Sequence, residues 1–161
     1  MSYTTQDIRN ICVLGHGSDG KTSLVESMLF LTNGTDRLGK VTDGNTVCDY
    51  DQEEIKRQIS ISATTVPVIF GKNKINVIDT PGYFDFAGEV MQALRVSEAG
   101  LIVCTAKNGL AVGTEKSWKY LNSRKMPKMI YISKLDEENA DYFRSFQGLR
   151  DKFGISVCPV V

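Results

Sequence analysis

Four short apolar runs, Ile11 to Leu14, Ile75 to Ile78, Leu101 to Cys104 and Met129 to Ile132, punctuate the chain at wide intervals. Runs of this length without polar alternation predict strands buried on both faces, as parallel strands covered by helices must be. Between them the period changes to that of a helix. Leu24, Val25, Met28 and Leu29 mark one apolar face, Val90, Ala93 and Leu94 a second, and Trp118 with Leu121 a third. A fourth stripe, Ala140, Phe143, Phe146, Leu149 and Phe153, recurs at helical spacing and is accounted for by core packing. The pattern predicts an α/β domain with a mostly parallel sheet and helices on both faces.

One segment breaks the alternation. Ser62 to Phe70 reads as a strand carrying Pro67, which confines it to an edge or an irregular position, and Gly71-Lys72-Asn73 turns the chain straight into the run at Ile75. An antiparallel edge strand is therefore expected beside the parallel ones. Ahead of it, Thr32 to Arg57 is polar, holds Gly34, Gly39 and Gly44, and shows no sustained period, so it is read as a long loop, functional or mobile.

At 161 residues the chain is long enough for one domain with a core of its own. Nineteen basic residues balance nineteen acidic ones, so no global field draws it to DNA or to an anionic membrane. Cys12, Cys48, Cys104 and Cys158 form no CxxC pair and have only His16 as an imidazole companion, so they suggest neither a zinc site nor a disulfide framework. Buried reduced thiols fit a reducing compartment. The opening Met1-Ser2-Tyr3-Thr4 lacks a basic region followed by an apolar core, and no run has the length to span a bilayer. A monomeric cytoplasmic segment is expected.

The chemistry begins where the first run ends. Gly15-His16-Gly17-Ser18-Asp19-Gly20-Lys21-Thr22, followed by Ser23, stands between a predicted strand and a predicted helix. In that context glycines let backbone N–H groups converge on phosphate oxygens, Lys21 supplies a point charge to the β/γ-phosphates, and Thr22 offers a hydroxyl to Mg²⁺. A nucleoside-triphosphate site follows. Asp79-Thr80-Pro81-Gly82 comes after the second run, at the carboxyl edge where open α/β sheets bind ligands. There Asp79 can hold Mg²⁺ through water, and Gly82, lacking a side chain, can bring its N–H to a terminal phosphate. Ser133-Lys134-Leu135-Asp136 follows the fourth run. The Asp136 carboxylate can accept from the ring N–H and exocyclic amine of guanine while the stem of Lys134 covers the base. A second hydroxyl for Mg²⁺ is sought in Gln58-Ile59-Ser60, where Ser60 reads equally well as an ordinary strand serine.

In this order and register the three motifs resemble a GTPase domain of the P-loop class. The stretch Gly39 to Val47, the run Asp79 to Phe86 and Asp136-Glu137-Glu138-Asn139-Ala140-Asp141 resemble elongation factor G and its paralogues among the translational GTPases, over nearly the whole chain. The resemblance implies GTP and GDP as ligands, Mg²⁺ as cofactor, the ribosome as partner, and hydrolysis of GTP to GDP and phosphate as a conformational switch, with Lys21, Gly82 and Tyr83 nearest the chemistry. Departures bear on mechanism. Ser133 stands where the family usually has Asn and reaches fewer partners, Gln58-Ile59-Ser60 replaces Gly-Ile-Thr but keeps the hydroxyl, and Ser18 stands where Asp is common. Tyr83 occupies the place of the histidine that positions attacking water, which leaves open a module that binds GTP with little or no hydrolysis. A P-loop ATPase or small-molecule kinase is disfavoured by the guanine motif. The family also continues into an inserted subdomain, a Ser-Ala guanine loop and a final helix, none of which precedes Val161, since Ser62-Ala63 lies too early. Residues 1–161 are thus expected to be a GTP-binding domain truncated before that loop.

Overall fold

A computed structural model describes residues 3–160, so the first two residues of the opening read above for targeting signals lie outside the described residues. Five strands, β1 (Ile8–Gly15), β2 (Thr64–Phe70), β3 (Asn73–Asp79), β4 (Ala99–Thr105) and β5 (Lys128–Ser133), form one sheet in the order β2-β3-β1-β4-β5. Only β2 and β3 pair antiparallel; β1 is parallel to both β3 and β4, and β4 to β5. The hairpin is closed by Gly71 and Lys72, with Phe70 opposite Asn73. Pro67, which has no N–H to give, lies on the edge strand opposite Asn76.

Helices cover both faces. Against one, α1 (Lys21–Leu31) buries Val25 and Leu29 on Val13, Val66, Val77 and Val103. Against the other, α3 (Ala87–Val96) and α4 (Val112–Ser123) bring Val90, Ala93, Leu94 and Leu121 onto Cys12, Leu14, Ile78 and Ile102. Each fully buried Leu or Val here is worth roughly 1.5–3 kcal/mol of transfer free energy. Alternate residues of β1 feed the two layers, so its carboxyl end lies between them. The chain leaves β1 toward β3 on one side and β4 on the other, and a crevice opens at that divergence.

Three expectations need correction. The stretch from Thr32 to Arg57 is not all loop: it holds a 3₁₀ turn, Val41–Asp43, and a short helix, α2 (Gln52–Arg57). A capping box starts α2, with Asp51 Oδ1 accepting from the Glu53 N–H at 2.7 Å and Glu54 Oε2 from the Asp51 N–H at 3.2 Å. The run at Met129 is not buried on both faces, because β5 is an edge strand and leaves Met129 57% exposed. Finally, the aromatic stripe is only partly core. Helix α5 (Tyr142–Phe153) begins after Ala140, Phe143 is 79% exposed, and the helix packs through Leu149 and through Phe153, whose ring stacks on Trp118 at 4.2 Å. Among the described residues no helix is long and apolar enough to cross a membrane. Cys12, Cys48 and Cys104 are buried free thiols, and Cys158 is exposed.

Candidate functional site

The phosphate loop leaves β1 at Gly15 and enters α1 through Gly20, whose φ of 90° places it in the left-handed region. No side chain caps α1, so the N–H groups of its first turn are left for another acceptor. The loop braces itself from within. Asp19 Oδ2 accepts the His16 N–H at 3.0 Å, and burial raises the Asp19 carboxyl above its ordinary range. Lys21, only 6% exposed, donates from Nζ to the His16 carbonyl at 2.8 Å. Burial lowers its pKa against the opposing pull of Asp79, Asp19 and Asp49.

Three hydroxyl and carboxylate groups from separate elements meet beside Lys21. Thr22 Oγ1 donates to Asp79 Oδ2 at 2.6 Å and lies 3.2 Å from Ser60 Oγ. Asp79 ends β3, is buried, and has its carboxyl pushed up to about 6 by that burial; its Oδ1 has no partner. Both oxygens of Asp49, another buried carboxylate raised by desolvation, are likewise unpartnered. Thr80 fixes the turn after β3 by donating to the Val13 carbonyl at 2.6 Å. Buried oxygens without donors, next to a desolvated ammonium, are costly unless a ligand completes them.

A cleft of about 260 Å³ opens over these groups. Gly17, Ser18, Gly20, Lys21, Thr22 and Ser23 floor it, while Asp49, Ser60, Gly82, Tyr83 and Lys134 reach it from other segments. Gly82 approaches the phosphate loop so closely that a Cβ there would fall 2.6 Å from the Gly17 nitrogen and would also strike Lys21 Nζ. Tyr83, 40% exposed, lays its ring on Gly17, where a Cβ would meet Cζ at 2.9 Å. The guanine motif joins from β5. Ser133 Oγ lies 2.7 Å from the Asp19 carbonyl and 3.1 Å from that of Cys104, so the shorter side chain still ties this turn to the phosphate loop. Lys134, at φ 57°, pairs with Glu137 at 2.8 Å. Asp136 is solvent-exposed and outside the cleft lining.

Residues that the sequence reading passed over hold the long loop. Glu26 of α1 is buried, and its Oε1 accepts from the N–H groups of Val47 at 2.7 Å and Cys48 at 3.1 Å. Glu54 of α2, also buried, accepts through Oε1 from Ile61 at 2.8 Å and Ser62 at 3.0 Å, which places the backbone just past Ser60. The capping-box spacing from Asp51 to Glu54 was a signal for α2; nothing local marked Glu26 or Asp49.

Comparison with known proteins gives this geometry a context. The model of the elongation factor Tu GTP binding domain matches residues 6–158. An elongation factor G-like protein of Mycobacterium tuberculosis is 36% identical over 153 residues, which is 95% of this chain and 21% of that protein. A mitochondrial ribosome-releasing factor 2 of Debaryomyces hansenii is 39% identical over 144 residues, 89% of this chain and 17% of that protein. A crystal structure from Thermus thermophilus superposes with a TM-score of 0.88 at 34% identity, covering 91% of this chain and 22% of that one. The chain spans about a fifth of the length of the curated relatives it matches.

Proposed function

This chain belongs to the family of the elongation factor Tu GTP-binding domain, and from that premise we propose that it binds GTP and GDP with Mg²⁺ and hydrolyses GTP as the switch of an elongation factor G-like translation factor. The observation that carries this reading is the convergence of Thr22, Ser60 and Asp79 beside the buried ammonium of Lys21, with unpartnered carboxylate oxygens in between. Two hydroxyls and hard carboxylate oxygens suit a small divalent cation that shares its shell with phosphates. Thr22 and Ser60 would ligate it directly and Asp79 would hold it through water. Bound there, Mg²⁺ would neutralise charge developing on the phosphate oxygens.

The remaining work belongs to the chain. Lys21 Nζ would exchange the His16 carbonyl for β/γ-phosphate oxygens, relieving its desolvation. The free amides of the first turn of α1 and those of Gly17, Ser18 and Gly20 would cradle the phosphates, while the Asp19 amide donates to the His16 carbonyl. Gly82 would offer its N–H to the terminal phosphate, and Asp136 would read the guanine edge.

Tyr83 beside the terminal-phosphate position favours a second reading, a GTP-binding module that hydrolyses slowly. A phenol can orient water but is a poor base near neutral pH. The partner in either case is the ribosome, met in the cytoplasm. Multiple-turnover GTP hydrolysis by the full-length protein, with and without ribosomes, decides between them: ribosome-stimulated turnover supports the switch, and nucleotide binding without stimulated turnover supports the module.

A further inference from the structure

Beyond the nucleotide cleft, one cation of α4 has an aromatic partner and no acidic one. Lys116 places Nζ 3.4 Å from the centre of the Phe84 ring, and among the described residues its ammonium has no carboxylate at ion-pairing distance. Phe84 opens the 3₁₀ turn Phe84–Phe86 directly after Tyr83, and its ring also lies 6.0 Å from that of His16, tilted by 54°. The base from which Lys116 reaches is fixed. One turn earlier, Gly113 touches the phosphate loop so closely that a Cβ there would sit 2.6 Å from His16 Cα. The contacts therefore close on themselves: His16 to Gly113, along α4 to Lys116, across to Phe84, back to Tyr83 and onto Gly17.

We infer that Lys116 is a positioning residue for Tyr83, its ammonium holding the Tyr83–Phe84 segment seated on the phosphate loop by a cation–π contact. The inference rests on the proposed hydrolytic switch, in which the Tyr83 hydroxyl would orient the attacking water. It assigns α4 a part in that reaction, through a residue that touches neither nucleotide nor water. Such a contact at a partly exposed ring shifts an equilibrium roughly two- to five-fold.

The test uses the full-length protein and the variants Lys116→Met, which keeps length and loses charge, and Lys116→Arg, which keeps the cation. Amide hydrogen exchange at residues 84–87 should accelerate roughly two- to five-fold in Lys116→Met and stay near wild type in Lys116→Arg. The ribosome-stimulated single-turnover rate should fall in Lys116→Met alone, with GTP affinity unchanged. Wild-type exchange in Lys116→Met overturns the inference, as does faster exchange with an unaltered rate, or a Lys116→Arg variant as impaired as Lys116→Met. If the wild-type protein shows no stimulated hydrolysis, the reading of Tyr83 fails and the positioning role fails with it, whereas exchange still reports whether Lys116 seats the segment.

Discussion

Gly82→Ala is the sharpest perturbation this site offers, because the atom added has nowhere to go. The new Cβ would fall 2.6 Å from the Gly17 nitrogen and 2.7 Å from the His16 carbonyl carbon, about 0.8 Å short of the 3.4 Å at which ordinary contact begins. Both neighbours are backbone of a loop braced by Asp19 and Lys21. It is therefore the Gly82–Tyr83 segment that must withdraw. Overpacking of this kind costs about 1–3 kcal/mol, which corresponds to roughly a 5- to 150-fold shift between two states. GDP has no terminal phosphate for the Gly82 N–H to meet, so the penalty should fall on GTP alone. In competition titrations with full-length protein, the ratio of Kd for a non-hydrolysable GTP analogue to Kd for GDP is expected to rise by that factor. Gly88→Ala is the control: a Cβ there meets nothing within 4 Å, and the ratio should not move. An unchanged ratio in Gly82→Ala would refute the claim that this residue seats against the terminal phosphate.

Asp136→Asn should weaken GTP and GDP binding and improve that of xanthine nucleotides, which present an acceptor where guanine has its amine; unchanged guanine preference in the same titration would remove Asp136 from the site. Glu26→Ala orphans the amides of Val47 and Cys48, a loss of about 2–6 kcal/mol at about 1–3 for each amide. Exchange at those two amides should then rise roughly 30-fold or more, and wild-type protection there would show that the loop is held by something else. GDP with Mg²⁺ at a hundredfold over its Kd should stabilise the domain by about 2.7 kcal/mol and raise Tm by roughly 5–10 °C. Adding a chelator, or Asp79→Asn, should remove much of that shift in a thermal-melt measurement.

The elements legible in the sequence were those whose environment is uniform. β1, β3 and β4 lie inside the sheet with helices above and below, so their runs at Ile11, Ile75 and Leu101 are mostly apolar, with Asn76 the single polar residue among them. At β5 the same pattern misleads, because an edge strand can keep apolar residues such as Met129 at an open face. Helix α2 is six residues long, too short for a 3.6-residue period to show, and only its cap betrays it. The phosphate loop, the turn after β3 and the turn after β5 were readable because each is a contiguous motif at a strand's carboxyl end. Asp49 and Glu26 were not, since their roles depend on groups distant in sequence: Glu26 reaches amides more than twenty residues on, and Asp49 faces Lys21.

What was hardest to read is also what makes the long loop suited to switching. Glu26 and Glu54 each hold two loop amides by charge-assisted hydrogen bonds, worth about 1.5–3 kcal/mol apiece. Each carboxylate, however, is withdrawn from water at a cost of several kcal/mol. Unpartnered oxygens on Glu26, Asp49 and Asp79 add to that cost. The net hold on each amide is thus only a few kcal/mol. A loop held by apolar burial alone would need many contacts broken to leave. A change of charge beside Thr22, Ser60 and Asp79 acts on these polar anchors, while Cys48 stays packed in the core, and that is the change a terminal phosphate and its cation would bring and its departure would take away.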